Sequence, residues 1–290
     1  MGTICRKPPR RVLHLTWIAL VAICAIGVLL IWTHMASRAR RQNQLVSAVQ
    51  GAGGDALYSS QVTYVLLDWP FPPAGPTWSL NCEPLGIRGW LASWIDLSWV
   101  DSIASVRLSG TSVSGDVLAE IGRMPDLQYL DLMSAEFKGE ELEFLRDCHS
   151  LKYLSLWGTR IGDDDLAFLH HMAALEELDL SRTGITDQGL EQLTHLPNLR
   201  RLWLDDTPVT SAGLATLRRC VHLEQLGLSG TNVDDDGLPH LAAMAKLQIL
   251  DLQRTLMTQP AVDALRSTRP LCQVFFERTE SSHFVPMEAD

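Results

Sequence analysis

From Ile103 onward the chain repeats itself every 24 residues, and no other feature constrains its fold as strongly. Segments beginning at Ser150, Ala174, Asn198 and His222 align without gaps: SLKYLSLWGTRIGDDDLAFLHHMA, ALEELDLSRTGITDQGLEQLTHLP, NLRRLWLDDTPVTSAGLATLRRCV and HLEQLGLSGTNVDDDGLPHLAAMA. Leu127, Leu151, Leu175, Leu199, Leu223, Leu247 and Leu271 fall into register. A fixed period of this length predicts a solenoid, because so short a unit buries its apolar side only by stacking on neighbours.

Each unit is numbered here from that leucine as place 1. Places 1, 4, 6, 11, 16 and 19 are apolar in nearly every unit, as in Leu175, Leu178, Leu180, Ile185, Leu190 and Leu193. Places 4 and 6 have strand spacing and point to one face. Places 16 and 19 suit one face of a short helix. Place 12 holds Ser114, Thr186, Thr210, Asp234 and Thr258, all residues that cap helix N-termini. The unit therefore reads strand, loop, short helix, loop. The fold class is α/β, with parallel strands stacked into one sheet and short helices outside. A fully buried leucine contributes about 1.5–3 kcal/mol, so such a unit offsets its ordering entropy only when stacked.

The pattern LxxLxLxxTxITDxGLxxL, best seen in LEELDLSRTGITDQGLEQL from Leu175 to Leu193, resembles a leucine-rich repeat. The resemblance runs from Ile103 to Thr279 in eight units, the first and last imperfect. It implies a horseshoe solenoid with a concave parallel sheet. Most leucine-rich repeats carry Asn or Cys at place 9. This chain carries Thr111, Thr159, Thr183, Thr207, Thr231, Thr255 and Thr279, with Ala135 the exception. That Thr variant, followed by TDxGL, resembles bacterial repeats of planctomycete-type membrane-anchored proteins. The arrangement RRQ…GAGG…VTY…WL ahead of the repeats is similar to the same proteins, more loosely. The resemblance implies fold and anchoring, not a particular partner. The threonine hydroxyls are expected to satisfy loop backbone groups inside the bend.

Residues 1–11 form a basic tail. The first 41 residues contain Arg6, Lys7, Arg10, Arg11, Arg38, Arg40 and Arg41 and no acidic residue. Between the two clusters, LTWIALVAICAIGVLLIW (Leu15 to Trp32) carries no charge. This predicts a transmembrane helix over 12–33, with Val12–Trp32 in the membrane and Trp17 and Trp32 near its interfaces. A cleaved signal peptide is the rival reading, disfavoured by the length of the apolar run and the arginines of THMASRARR. The excess of basic residues before the span leans towards a repeat domain on the non-cytoplasmic side. A cytoplasm-facing scaffold is the alternative. The rest of the chain holds 17 basic and 34 acidic residues, 24 basic residues overall less the seven at the start. That acidity argues against nucleic acid as ligand and favours a protein partner with a basic segment.

Residues 34–100 read as juxtamembrane stalk, linker and N-terminal cap. Residues 36–50 favour helix and should prolong the membrane helix until GAGG (Gly51 to Gly54) ends it. QVTYVLLDW reads as a strand and PFPPAGP as a linker. IRGWLASWIDLSWV, from Ile87 to Val100, spaces Trp90, Leu91, Trp94 and Ile95 helically and is expected to cover the first coil. The repeats occupy 101–279, with QVFFER as a last strand and Phe276 inward. Residues 280–290 are a polar tail.

No nucleophile–base set, P-loop, HExxH or dinucleotide fingerprint occurs, so the expectation is a non-enzymatic binding module without cofactor or metal. An enzyme or regulatory subunit with its chemistry in residues 42–100 is the reading from another class. Cys148 and Cys220 share place 22 with Met124, Met172, Leu196 and Met244, which makes them core thiols. His170, His171, His195 and His240 fall on the outer side, spread over different units. The runs Asp163–Asp165 and Asp234–Asp236 recur at helix starts, where they cap and complement the helix dipole.

Places 3, 5 and 7 line the concave face. Adjacent units set their residues about 4.8 Å apart. This gathers Tyr129, Tyr153, Trp157, Arg201 and Trp203 into one patch ringed by Asp131, Asp179 and Asp205. Exposed Tyr, Trp and Arg are the currency of binding hot spots, so these eight residues are the candidate partner-binding site.

Overall fold

A computed structural model describes residues 44–58 and 103–277, together with the single positions 33, 37 and 40. Its strands form one sheet in chain order: β1 (Asp55–Tyr58), β2 (Ile103–Arg107), β3 (Tyr129–Asp131), β4 (Tyr153–Ser155), β5 (Glu177–Asp179), β6 (Arg201–Trp203), β7 (Gln225–Gly227), β8 (Ile249–Asp251) and β9 (Gln273–Phe275). From β2 to β9 every pairing is parallel and offset by one repeat, as in Tyr153↔Glu177, Leu154↔Leu178 and Ser155↔Asp179. The 24-residue period is therefore one turn of the solenoid.

The hydrogen-bond ladder outlasts the three-residue strands. Place 6 continues it, with Leu180 N–H donating to Trp203 O at 2.9 Å, and place 8 does so again, with Arg182 N–H donating to Asp205 O at 2.7 Å. The chain then leaves the sheet through a left-handed residue at place 8: Gly110, Ser134, Gly158, Arg182, Asp206, Gly230 and Arg254 have φ between 52° and 71°. Glycine adopts this backbone freely and the others at a cost.

Just after this corner the place 9 threonines point inward. Thr159, Thr183, Thr207 and Thr231 are buried, and each Oγ1 donates to the carbonyl of place 6 in its own coil. Thr159 reaches Leu156 O at 2.6 Å, Thr183 reaches Leu180 O at 2.5 Å and Thr207 reaches Leu204 O at 2.5 Å. Thr111, Thr231 and Thr255 do the same. The expected hydroxyl ladder is present wherever the described coils have Thr.

The outer wall is helical but uneven. It comprises α-helices Gly115–Gly122, Leu190–Leu193, Ser211–Leu217, Leu238–Ala243 and Gln259–Thr268, and 3-10 segments Gly139–Asp147, Asp163–His171 and Asp235–Gly237. Of the expected caps, Thr186, Thr210, Asp234 and Thr258 accept a backbone N–H, while Ser114 makes no such bond. The same residues also grip the preceding coil. Thr210 N–H and Oγ1 both donate to the Asp187 carboxylate, at 2.8 and 2.6 Å. Thr186 binds Asp163 and Thr258 binds Asp235 in the same way.

This clasp explains the spelling ITDxGL. The Asp at place 13 reaches sideways to the Thr at place 12 of the next coil. Glycine at place 15 of that next coil leaves room for it: a Cβ on Gly189 would collide with Asp163 Oδ1, and one on Gly213 with Asp187 Oδ1. In the first coils the order inverts, with Gly115 and Gly139 making room for Glu141 and Asp165.

Between sheet and helices runs a continuous apolar core. Leu127, Leu151, Leu175, Leu199, Leu223 and Leu247 are buried in it, as are Met124, Cys148, Met172, Leu196, Cys220 and Met244 at place 22. Burial pushes the Cys148 thiol up to about 12, with the Asp147 charge adding to it; such a thiol stays protonated and unreactive.

Two expectations change, and a third falls outside the described residues. Leu271 keeps the register but is 95% exposed, while its neighbour Cys272 is buried. Place 1 is buried only between coils, and among the described residues no coil follows β9. Phe276 does turn towards the core and packs partly against it. Second, residues 44–58 are not a free stalk. A helix over 44–51 sinks Leu45 and Val49 into the core, the chain turns at Gly53 (φ 84°), and β1 pairs antiparallel with β2. This unit closes the edge of the first coil, the task expected of Ile87–Val100. Third, among the described residues no helix is long and apolar enough to cross a membrane. The span expected over 12–33 lies outside them, apart from Thr33. The strand expected at 61–69, the Pro-rich linker, Ile87–Val100 and the tail 280–290 also lie outside.

Candidate functional site

The coil spacing sets Tyr129 and Tyr153 side by side, with ring centroids 4.3 Å apart and planes 4° from parallel. Both are half-buried, so the stack presents an aromatic shelf at the mouth of the sheet. Beside it Arg201 Nη1 bridges Glu177 Oε1 at 2.5 Å across β6 and β5.

Place 5 forms the floor. Asp131, Asp179 and Asp251 are buried there. Each turns Oδ1 onto the backbone N–H two residues on, at Met133 (2.9 Å), Ser181 (3.0 Å) and Gln253 (2.9 Å). Arg107 approaches Asp131 at 3.5 Å. These aspartates therefore end their strands as well as charging the floor. Burial pushes Asp179 up to about 6; bonds from Ser181 oppose this and Asp131 adds to it. Burial also raises Asp251 and Glu177 above the usual carboxylate range, against the pull of Arg254 on the first and Arg201 on the second.

Asp205, at place 7, is half-buried. Its Oδ1 accepts Ser229 N–H from the next coil at 2.8 Å, and its own N–H donates to Ser181 Oγ at 3.1 Å. Burial pushes it up to about 7, with Asp251, Asp179 and Asp206 adding to the rise.

Trp203 belongs to the floor too, being only 8% exposed. Its neighbour at the same place is Gly227, where a Cβ would stand 2.9 Å from both Trp203 Cδ1 and Asp205 Oδ1. The indole and the carboxylate lie over the gap left by the missing side chain. Trp157 is half-buried, and the Arg182 guanidinium lies over its ring, 5.0 Å from the centroid. Arg182 and Arg254 both bridge Asp206, at 3.1 and 2.9 Å, the second passing over Gly230.

The eight predicted residues thus share one face but sort by depth. Tyr129, Tyr153, Trp157, Arg201 and Asp205 are partly open, and Asp131, Asp179 and Trp203 are the floor. Sequence reasoning missed Glu177 as the partner of Arg201 and Arg182 as the cover of Trp157. Both follow from a shift of 24 or 25 residues across the sheet. On the outer side, the histidines expected to stand apart are partly united: His170 and His195 ring centroids are 4.0 Å apart, and His170 Nε2 contacts Gln192 Oε1 at 2.5 Å. Among the described residues no group of three or more His, Cys, Asp or Glu side chains could hold a metal ion.

Residues 149–209 match the family model described as leucine rich repeat. No curated protein matches the chain. Similar solved structures include an internalin C2 from Listeria monocytogenes, at 18% identity and a TM-score of 0.48, covering 60% of this chain and 81% of that one. A leucine-rich repeat protein of Leptospira interrogans is 21% identical, with a TM-score of 0.42, over 55% of this chain and 45% of the other. The ectodomain of an Arabidopsis thaliana receptor kinase, GASSHO1/SCHENGEN3, is 18% identical, with a TM-score of 0.43, over 60% of this chain and 21% of that one. The family match thus identifies leucine-rich repeats over residues 149–209, and the described coils on either side repeat the same 24-residue unit on one leucine spine.

Proposed function

We propose that the chain is a membrane-anchored, non-enzymatic module that grips an extended, basic segment of a partner protein on its concave face. One observation carries the reading. The sheet face sets Glu177 and Asp179 in one coil, Asp205 in the next and Asp251 two coils further on, beside an aromatic shelf, while its arginines, Arg107 and Arg201, are already bridged. Such a face favours cationic side chains with apolar stems, and charge complementarity would steer and register the partner. Leucine-rich repeats serve in general as protein-interaction modules. The uncharged run from Leu15 to Trp32 supports the anchor, and the basic excess ahead of it supports a repeat domain outside the cytoplasm.

The test places a photo-crosslinker at half-buried Gln225 on the face, and another at exposed Ala167 on the outer wall. Capture through a Lys/Arg-rich stretch is expected from the first site and lost in Glu177→Gln/Asp205→Asn. Capture from the outer wall alone would place the docking surface elsewhere. Protease access to the repeats in intact cells would separate the proposed orientation from the cytoplasm-facing one.

A further inference from the structure

The concave floor holds more negative charge than its own cations neutralise. Asp179 and Asp205 lie in adjacent coils, each fixed by one backbone donor, Ser181 N–H and Ser229 N–H. The titratable and charged groups around them are bridged elsewhere, neutral, or of the same sign. β3 brings Asp131, bridged to Arg107 of β2. β4 brings the Tyr153 phenol, which burial holds well above its ordinary range. β5 brings Glu177, bridged to Arg201 of β6. The loop after β6 brings Asp206, which takes both Arg182 and Arg254. β8 brings Asp251. Every arginine in this neighbourhood is thus bridged to some other carboxylate.

We propose that on the acid side of neutrality Asp205 and Asp179 hold protons while the face is empty and release them as a basic segment docks, so that capture tightens from acid to neutral conditions. The proposal rests on the docking reading above and adds its regulation. Low solvent access makes the ionised form of each carboxyl costly without a cation, and the neighbouring carboxylates add repulsion. An arriving ammonium or guanidinium removes both penalties, and each carboxyl that ionises returns one proton to solvent. The direction agrees with the rise of Asp205 to about 7 and Asp179 to about 6. A lysine side chain stays charged throughout that interval, so the pH dependence belongs to the face.

The experiment is calorimetric titration of the full chain with a short peptide of alternating lysine and serine, between pH 5 and pH 8, in two buffers of different ionisation enthalpy. Affinity should rise more than about tenfold across that interval, the limit being about tenfold per pH unit for each proton released. The two buffers should report proton release. Asp179→Asn/Asp205→Asn keeps both backbone acceptors and should bind weakly at every pH, no tighter than the unaltered chain at pH 5, with little dependence on pH. A flat profile for the unaltered chain, or a slope surviving in the double variant, overturns the linkage and leaves docking standing. Absence of binding at every pH overturns the docking reading and the linkage with it. The thermal midpoint of the double variant at pH 5 shows whether it is folded.

Discussion

At the scale of single residues, most positions are set by two demands: inward apolar volume and closure of the corner. Thr183 serves the second. Its hydroxyl is buried and bonds Leu180 O, so Thr183→Val removes one bond without removing volume. It should lower stability by about 1 kcal/mol, and chemical denaturation would show whether it does. Gly230 is held at φ 71°, and a Cβ there would meet the Asp206 carboxylate that receives Arg254. Gly230→Ala should cost about 1–2 kcal/mol from backbone strain alone and loosen the Arg254 bridge, which thermal melts in low and high salt would reveal. Trp203, read from sequence as an exposed anchor, fills a gap over Gly227 instead, so Trp203→Ala should lower stability as well as binding. Asp205 has a sign that can be worked out. Its value in the folded state lies above its unfolded value. The folded chain therefore binds more protons between about pH 4 and about pH 7, and stability is lost as pH rises through that window. Asp205→Asn should match the unaltered chain in thermal midpoint at pH 4 and exceed it at pH 8. Equal midpoints at both would mean that the carboxyl is not penalised by its site.

At the scale of elements, each coil is short of its own contacts and borrows from the next. The short outer segments gain their order from lateral clasps as well as from apolar faces. Asp187 is the clearest: one carboxylate takes the N–H and the hydroxyl of Thr210, in a space left by Gly213. Charge-assisted bonds of this kind are worth more than neutral ones. Asp187→Ala should cost about 2 kcal/mol and should speed amide exchange in Ser211–Leu217 before it affects β6 or β7. Exchange rates that change equally throughout would remove the clasp as a local device. The contrast with sequence reading is instructive here. Places 4, 6, 9 and 22 were legible because their demand lies within one coil and recurs in nearly every copy. The direction of the Asp–Thr clasp was not, since both residues are good caps for their own helix and only stacking shows which coil each serves. The same holds for Arg182 over Trp157 and for His170 against His195, whose partners are one lateral step away.

At the scale of the whole molecule, the solenoid is nearly one-dimensional, and its ends lack the redundancy of its middle. The repeated part was predictable from period alone. The described end unit was not, because residues 44–58 occur once and carry no register to compare. Leu45 and Val49 resemble the exposed stripe of a stalk until they are seen pressed on the first coil. At the other end Leu271 obeys the period and fails in the structure, for want of a following coil among the described residues. Stability in such an array is a sum of unit terms and nearest-neighbour terms, so a fault at an end unravels inward. Leu45→Ala removes a fully buried side chain from the unit that covers β2. A cost of about 2–5 kcal/mol is ordinary for such a truncation. A globular core would share that cost among all its elements. Here it should fall first on β1, β2 and the Gly115–Gly122 helix, leaving β6 to β8 protected. Hydrogen exchange of Leu45→Ala should therefore show a gradient along the chain, steepest at β2 and fading by β5. Uniform loss of protection from β2 to β9 would mean that the coils unfold as one body, and that nearest-neighbour stacking is not what holds them.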